Sequence, residues 1–354
     1  MWFHKQDIQF HPSIVDASIR GYVLPHASTP YTGKIISHTL RFKPKFRFKK
    51  VCILYYPVSD KHNILGKYYH EYYIPMKCLK HFTDNKWNMK KISFFGINLR
   101  DGLPPKMDLS DTLIIVSADF SHFLPMQRAI DLENKAAHSL MFKQHQQSNY
   151  INIVDHILSF KTLHKLVPKD WYLQWIGRTR SLGDKGVGYL SFLIKQPPVF
   201  KAPDGMFVTC YDNKMNAREC LGEWFTTKKW SQSIEDRLIH RVVSKGQSNS
   251  RLTGGTNKHL PIKFYTITYL YKDHKKMIRG YHGIKYKAFY LPEVLLEHTY
   301  PNGRWIQNED TEWHDGRFMI RETLDHLSDK AGSTGNKLDK QYELYRCEVR
   351  HVKI

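Results

Sequence analysis

The chain has 354 residues, 41% hydrophobic and 14% aromatic, with a formal net charge of +21. That apolar content suffices for two packed cores and excludes a globally disordered chain. Five cysteines, odd in number and without CxxC spacing, argue against a disulfide framework and a cysteine-based zinc site, and favour a reducing compartment.

Residues 1–7 lack a signal-peptide core, and no apolar run approaches the roughly 20 residues of a membrane helix. The expectation is a soluble, intracellular (cytoplasmic) protein with no membrane partner. In chain order, strand-like apolar runs fall at residues 14–24, 51–56, 91–97, 113–116 and 188–194. Helical spacing appears at 33–42, 125–144 and 152–166. Strands alternating with helices predict an α/β layered domain over residues 1–198, with a mostly parallel sheet flanked by helices. Gln196-Pro197-Pro198 ends it, because proline cannot continue a ladder. Residues 199–203 read as linker. Residues 204–354 read as an α+β domain, with strands at 206–211 and 262–271 and helices at 230–243 and 322–330.

The charge is uneven: +12 of it lies in residues 1–100. Its densest stretch carries Arg41, Lys43, Lys45, Arg47, Lys49 and Lys50, interleaved with Phe42, Phe46 and Phe48. An extended backbone would put the odd-numbered cations on one face and the rings on the other. That suits single-stranded nucleic acid, whose backbone attracts cations and whose bases stack on rings. A solvated basic loop leading into the strand at 51 fits the same residues.

Two phrases place polar groups just after apolar strands: Val23-Leu24-Pro25-His26-Ala27 and Val116-Ser117-Ala118-Asp119-Phe120-Ser121-His122. Residues at the carboxyl ends of parallel strands face the crevice where α/β proteins hold ligands. His26, Asp119 and His122 would then share one site; hydrogen-bonded rim histidines are the bland alternative. There is no P-loop, GxSxG, HExxH or complete GxGxxG.

The phrases Pro25-His26-Ala27, Thr32-Gly33 and Ser117-Ala118-Asp119-Phe120-Ser121-His122 resemble the Memo family over about residues 15–196, with an apparent deletion between 62 and 68. The resemblance implies the fold of the LigB-type (class III) extradiol dioxygenases. It also implies a non-haem site of two histidines and a third ligand, for iron or copper. On that pattern His26 is the first metal ligand and His62 takes the second place. The family's third ligand, a cysteine, is missing near residues 176–188, where Asp184 is a substitute. His122 matches the histidine beside the substrate, oriented by Asp119 and suited to act as general base. Glu71 and Pro75 are what remains of a further family phrase. The implied activity is that of a non-haem metal-dependent dioxygenase or oxidoreductase with a partly degenerate site, which binds a metal or small ligand or has lost its metal.

In the second half, Phe207-Val208-Thr209, Arg218-Glu219-Cys220-Leu221-Gly222, Ser250-Arg251, Gly280-Tyr281-His282-Gly283-Ile284, Tyr290-Leu291-Pro292-Glu293-Val294, Lys330-Ala331-Gly332 and Tyr345-Arg346-Cys347-Glu348 resemble, in order, the AMMECR family. The resemblance implies no settled reaction. It makes Arg218, Cys220 and His282 candidate ligand-binding residues, with Glu219 where the family has glycine. Such domains occur fused in this order, often beside radical-SAM enzymes, so a radical-SAM-type partner is implied. The rival expectation is a non-catalytic interaction module that binds nucleic acid or another polyanion through the basic N-terminal surface.

Overall fold

The structure, a computed structural model, describes residues 2–57, 63–64, 68–102, 107–145, 150–181, 185–197, 200–225, 229–248, 261–272 and 345–354. The backbone divides into two compact units, Met1–Val199 and Phe200–Ile354.

In chain order the first unit contains β1 (Ile14–Asp16), β2 (Ile19–Leu24), α1 (Thr29–Leu40), β3 (Phe42–Pro44) and β4 (Lys50–Tyr55). Then follow β5 (Asn63–Ile64), β6 (Tyr68–Tyr69), α2 (His70–Asn85), β7 (Ser93–Asn98) and β8 (Thr112–Ser117). It closes with α3 (Met126–Met141), α4 (Ile157–Leu166), β9 (Tyr172–Arg180) and β10 (Gly188–Lys195). Six strands form one sheet in the order β7-β4-β8-β2-β10-β9. β7, β4, β8 and β2 run parallel; β10 is antiparallel to β2, and β9 to β10. The unit is therefore a mixed α/β layer with a mostly parallel sheet.

Every residue of the central strand β8 is buried, as a strand covered on both faces requires. On one face Tyr22, Leu24, Val51, Ile53, Leu113 and Ile115 pack with Ile36 and Leu40 of α1 and Ile74, Leu79 and Phe82 of α2. Alternate residues point the other way. There Phe120 meets Phe160 of α4 and Phe192 of β10, with ring centroids 6.4 and 6.1 Å apart.

Three local features depart from the sequence reading. The run 14–24 breaks in two because the Asp16 carboxylate accepts hydrogen bonds from the Ser18 N–H and hydroxyl (2.8 and 2.6 Å), a local turn that interrupts the strand. The expected helix at 152–166 becomes a 3₁₀ turn (Ile151–Ile153), a break, and then α4. Helix α2 and strand β9 form where neither a helix nor a strand was expected.

A buried ionic cluster ties α3 to the sheet. Glu133 lies between Arg178 and Arg180 of β9, at 3.8 and 3.7 Å. It also accepts a short hydrogen bond from the Ser121 hydroxyl. Arg180 donates to Ser121 Oγ (3.1 Å) and Arg178 to Asn134 (2.7 Å). Position 188 has to be glycine, since a Cβ there would sit 1.9 Å from Glu133 Oε1. Burial raises the Glu133 carboxyl, and the two guanidinium groups and Ser121 oppose it.

The second unit contains β11 (Gly205–Asp212), β12 (Ala217–Trp224), α5 (Gln232–Ser248), β13 (Ile262–Lys272) and β14 (Tyr345–Lys353). Its described strands form an antiparallel sheet in the order β12-β11-β13-β14. Leu238 and Val242 of α5 pack on Met206, Val208, Cys210, Ile267 and Tyr269. The expected helix at 322–330 lies outside the described residues. Among those described, no helix is long and apolar enough to cross a membrane.

Glu133→Ala should destabilise the first unit by about 3–5 kcal/mol, because it strands two buried guanidinium groups. Urea unfolding followed by fluorescence reads this directly. A loss under about 1 kcal/mol would mean that Arg178 and Arg180 reach water without Glu133.

Candidate metal centre

Strands β2 and β8 are parallel neighbours with Leu24 opposite Ser117, so the residues just beyond them lie side by side. The Ala118 N–H donates to the Leu24 carbonyl (3.1 Å), and the His26 N–H donates to Asp119 Oδ1 (2.9 Å). Both residues are buried. His26 Nε2 lies 3.2 Å from Asp155 Oδ2 and 3.7 Å from Asp119 Oδ2. Asp155 arrives from the break before α4, and its N–H donates to the Asp119 carbonyl (3.0 Å). The same Asp155 oxygen is 3.4 Å from His156 Nε2, and Tyr56 stacks on the His156 ring at 4.7 Å.

Helix α2 supplies the opposite wall from its first turn. His70 Nδ1 is 3.2 Å from Glu71 Oε2, and both residues are buried. The His70 ring meets His26 edge-on at 5.2 Å, and Trp2 stacks on its face at 4.9 Å. One donor atom each from His26, His70 and Glu71 fall within 4.8 Å of one another. Donors around an ion with bonds near 2.1 Å are at most about 4.2 Å apart, so a small closure would complete a two-histidine, one-carboxylate set.

Pro75 connects the two walls. It lies inside α2 and has no N–H, so the Glu71 carbonyl, which would receive the bond from position 75, loses that partner. The Ser117 hydroxyl donates to it instead (2.6 Å). Having donated its one proton, Ser117 Oγ accepts from His26 Nδ1 at 3.0 Å. That bond fixes Nδ1–H and leaves Nε2 facing the carboxylates.

The electrostatics follow from these contacts. Burial disfavours a charged His26 ring, but Asp119 and Asp155 outweigh it and raise the imidazole to about 9. Burial would raise Asp155, yet the bond to His26 and the nearby imidazoles bring its carboxyl down to about 2. Burial raises Asp119, with His26 opposing, so Asp155 is the firm anion of the group. Burial lowers His156 to about 4, against the pull of Asp155.

Of the residues singled out in the sequence, His26, Asp119 and Glu71 come together here. His122 lies exposed, bridged through its backbone to Val187, and near enough for its charge to act on Asp119 and Asp155. The Asp119 carboxylate is directed at His26. His62, Asp184 and His282 lie outside the described residues. Arg218 is buried on β12, in the second unit. Cys220, half-buried on the same strand, accepts from the Thr209 hydroxyl at 3.2 Å. Glu219 keeps a negative φ, so no strain follows from its replacing glycine. The segment holding Arg41, Lys43, Lys45, Arg47, Lys49 and Lys50 runs into the start of β4, at the opposite edge of the sheet from His26.

Sequence reasoning missed His70, Ser117, Asp155 and His156 as site residues. The adjacent His70-Glu71 pair ahead of Pro75 was the available signal for His70. No protein-family model matches the chain, and no curated protein matches it.

The His26–Asp155 pair sets a pH window. The His26 contribution to stability is fully present below its ordinary value of 6.5 and is lost as pH rises through about 9. The Asp155 contribution is present above 3.8 and is lost as pH falls through about 2. The His26 ring should titrate near 9 by NMR, and Asp155→Asn should bring it down toward or below 6.5. A wild-type ring titrating near 6.5 would contradict the ion pair.

Proposed function

We propose that the first unit is a Memo-like metal-binding domain in which His26, His70 and Glu71 hold one divalent ion, iron or copper, for non-haem oxidoreductase chemistry on a small ligand. The observation that carries this reading is the convergence of those three donors, within 4.8 Å, at the carboxyl edge of the parallel strands. A bound ion of this kind supplies redox and Lewis-acid chemistry at the positions that the protein leaves open.

The chain's own residues have separable tasks. Ser117 holds the His26 ring in one tautomer through its bond to Nδ1. Asp155 and Asp119 supply the negative charge that keeps a buried imidazole and a cation together. Trp2 covers one face of His70 and limits the directions from which water reaches it. His122, at the exposed rim, is suited to take a proton from an entering hydroxyl group. The second unit is AMMECR-like in its motifs.

Anaerobic loading with ferrous iron, or aerobic loading with copper, followed by desalting and elemental analysis tests the reading. About one ion per chain is expected. His26→Ala, His70→Ala and Glu71→Gln should each reduce retention to under about a tenth while the circular dichroism spectrum is kept. Ser117→Ala should weaken binding by about 10–100-fold, the effect expected of a group that orients a ligand. Failure of the wild-type protein to retain either metal would overturn the proposal.

A further inference from the structure

The strongest surface feature lies at the opposite edge of the same sheet. Parallel strands β4 and β7 are paired with Lys50 opposite Ser93, so the segments leading into them are neighbours. The Ser93 N–H donates to the Lys49 carbonyl (3.0 Å), and Lys43 Nζ donates to the Trp87 carbonyl (3.3 Å). The pairing therefore joins two cationic stretches that are 40 residues apart in sequence. Lys45, Arg47, Lys49 and Lys50 come from one, Lys90 and Lys91 from the other, and all six are exposed. Asp111, 3.4 Å from Lys50 Nζ, and the exposed Asp108 offset part of this charge.

The rings of this region do not face outward with the cations. Phe48 and Trp87 are buried and belong to the core beneath α2, with ring centroids 6.5 Å apart. Phe46 is packed between Phe48 (5.7 Å) and the Arg20 guanidinium (4.3 Å). Single-stranded nucleic acid is held by stacking its bases on exposed rings; the rings of residues 41–50 are buried or half-buried, and Phe95, two residues beyond Ser93 on β7, is exposed at 36%. What remains is a band of exposed positive charge with one exposed ring, Phe95, instead of a series of them, which matches regularly spaced phosphates whose bases are already paired.

We propose that this edge of the sheet, built from Lys45, Arg47, Lys49, Lys50, Lys90 and Lys91, docks duplex nucleic acid through its phosphate backbone without reading its sequence. The band lies across the sheet from His26 and makes no use of the candidate metal centre, so its test leaves the metal reading untouched.

The full chain is titrated by fluorescence anisotropy with a labelled 20-base-pair duplex of random sequence, as RNA and as DNA, over a series of salt concentrations. Engagement of four or five phosphates gives a log–log salt slope of about −4. A variant with Lys45, Arg47, Lys49 and Lys91 all changed to alanine should bind at least ten-fold more weakly, with a clearly smaller slope. A control variant with Lys5, Lys80, Lys165 and Lys169 changed to alanine removes the same charge elsewhere and should stay within about two-fold of wild type. Unfolding midpoints of both variants are measured alongside, and these exposed positions should leave them unchanged. Equal losses in the two variants would overturn the proposal, since general charge alone would then explain binding. So would tighter binding to the matching single strand, or to vesicles containing phosphatidylserine, than to either duplex.

Discussion

The whole candidate centre depends on one pairing, that of β2 with β8. Parallel alignment with Leu24 opposite Ser117 makes the next two residues of each strand neighbours, so a histidine and an aspartate 93 positions apart share a hydrogen bond. No side-chain preference could create that adjacency. It is a property of the sheet order, in which β4 and β7 lie on the other side of β8 and the chain returns to place β8 between β4 and β2. Once the pairing exists, a buried imidazole must be neutralised or left uncharged, and the loop before α4 brings the second carboxylate that neutralises it.

Burial of charge recurs on both sides of this unit, with different outcomes. Around His26 a single ring faces two carboxylates, an excess of negative charge suited to a cation. Around Glu133 one carboxylate faces two guanidinium groups, held by Ser121 and Asn134 and bracing α3 against β9. The first arrangement puts an excess of carboxylates around one ring; the second balances its charge across ion pairs, with hydrogen bonds from Ser121 and Arg180 among them. Buried charge is thus balanced in opposite senses at the two places, with anions in excess at one and cations in excess at the other.

Much of the fold was legible because the parallel strands are short apolar runs between helical repeats. The ends of those strands pointed to His26 and Asp119. Glu71 was found through its place in a motif, but its neighbour His70 was not. The run Tyr68-Tyr69-His70-Glu71-Tyr72-Tyr73 has the aromatic content of a strand and contains a proline soon after, both of which disguise the first turn of α2. Asp155 was hidden differently. Residues 152–166 have continuous helical spacing with no glycine or proline to mark a break, and the break is made by a tertiary bond from the Asp155 N–H to the Asp119 carbonyl. The phenylalanines of residues 41–50 alternate with cations as an exposed stacking face would, yet Phe48 is drawn inward by Trp87, whose position sequence periodicity does not encode.

The proline in α2 carries a further meaning. A missing amide hydrogen near the start of a helix is ordinarily a defect, repaired by water or by a bend. Here the vacancy is filled from a neighbouring strand, and the repair leaves the serine oxygen turned to accept from a distant ring. Restoring an ordinary residue at position 75 would give the carbonyl of residue 71 a partner within its own helix and set the serine hydroxyl free to rotate. The ring Nδ1–H would then lose its fixed acceptor, so a helix imperfection serves to hold the orientation of a distant side chain.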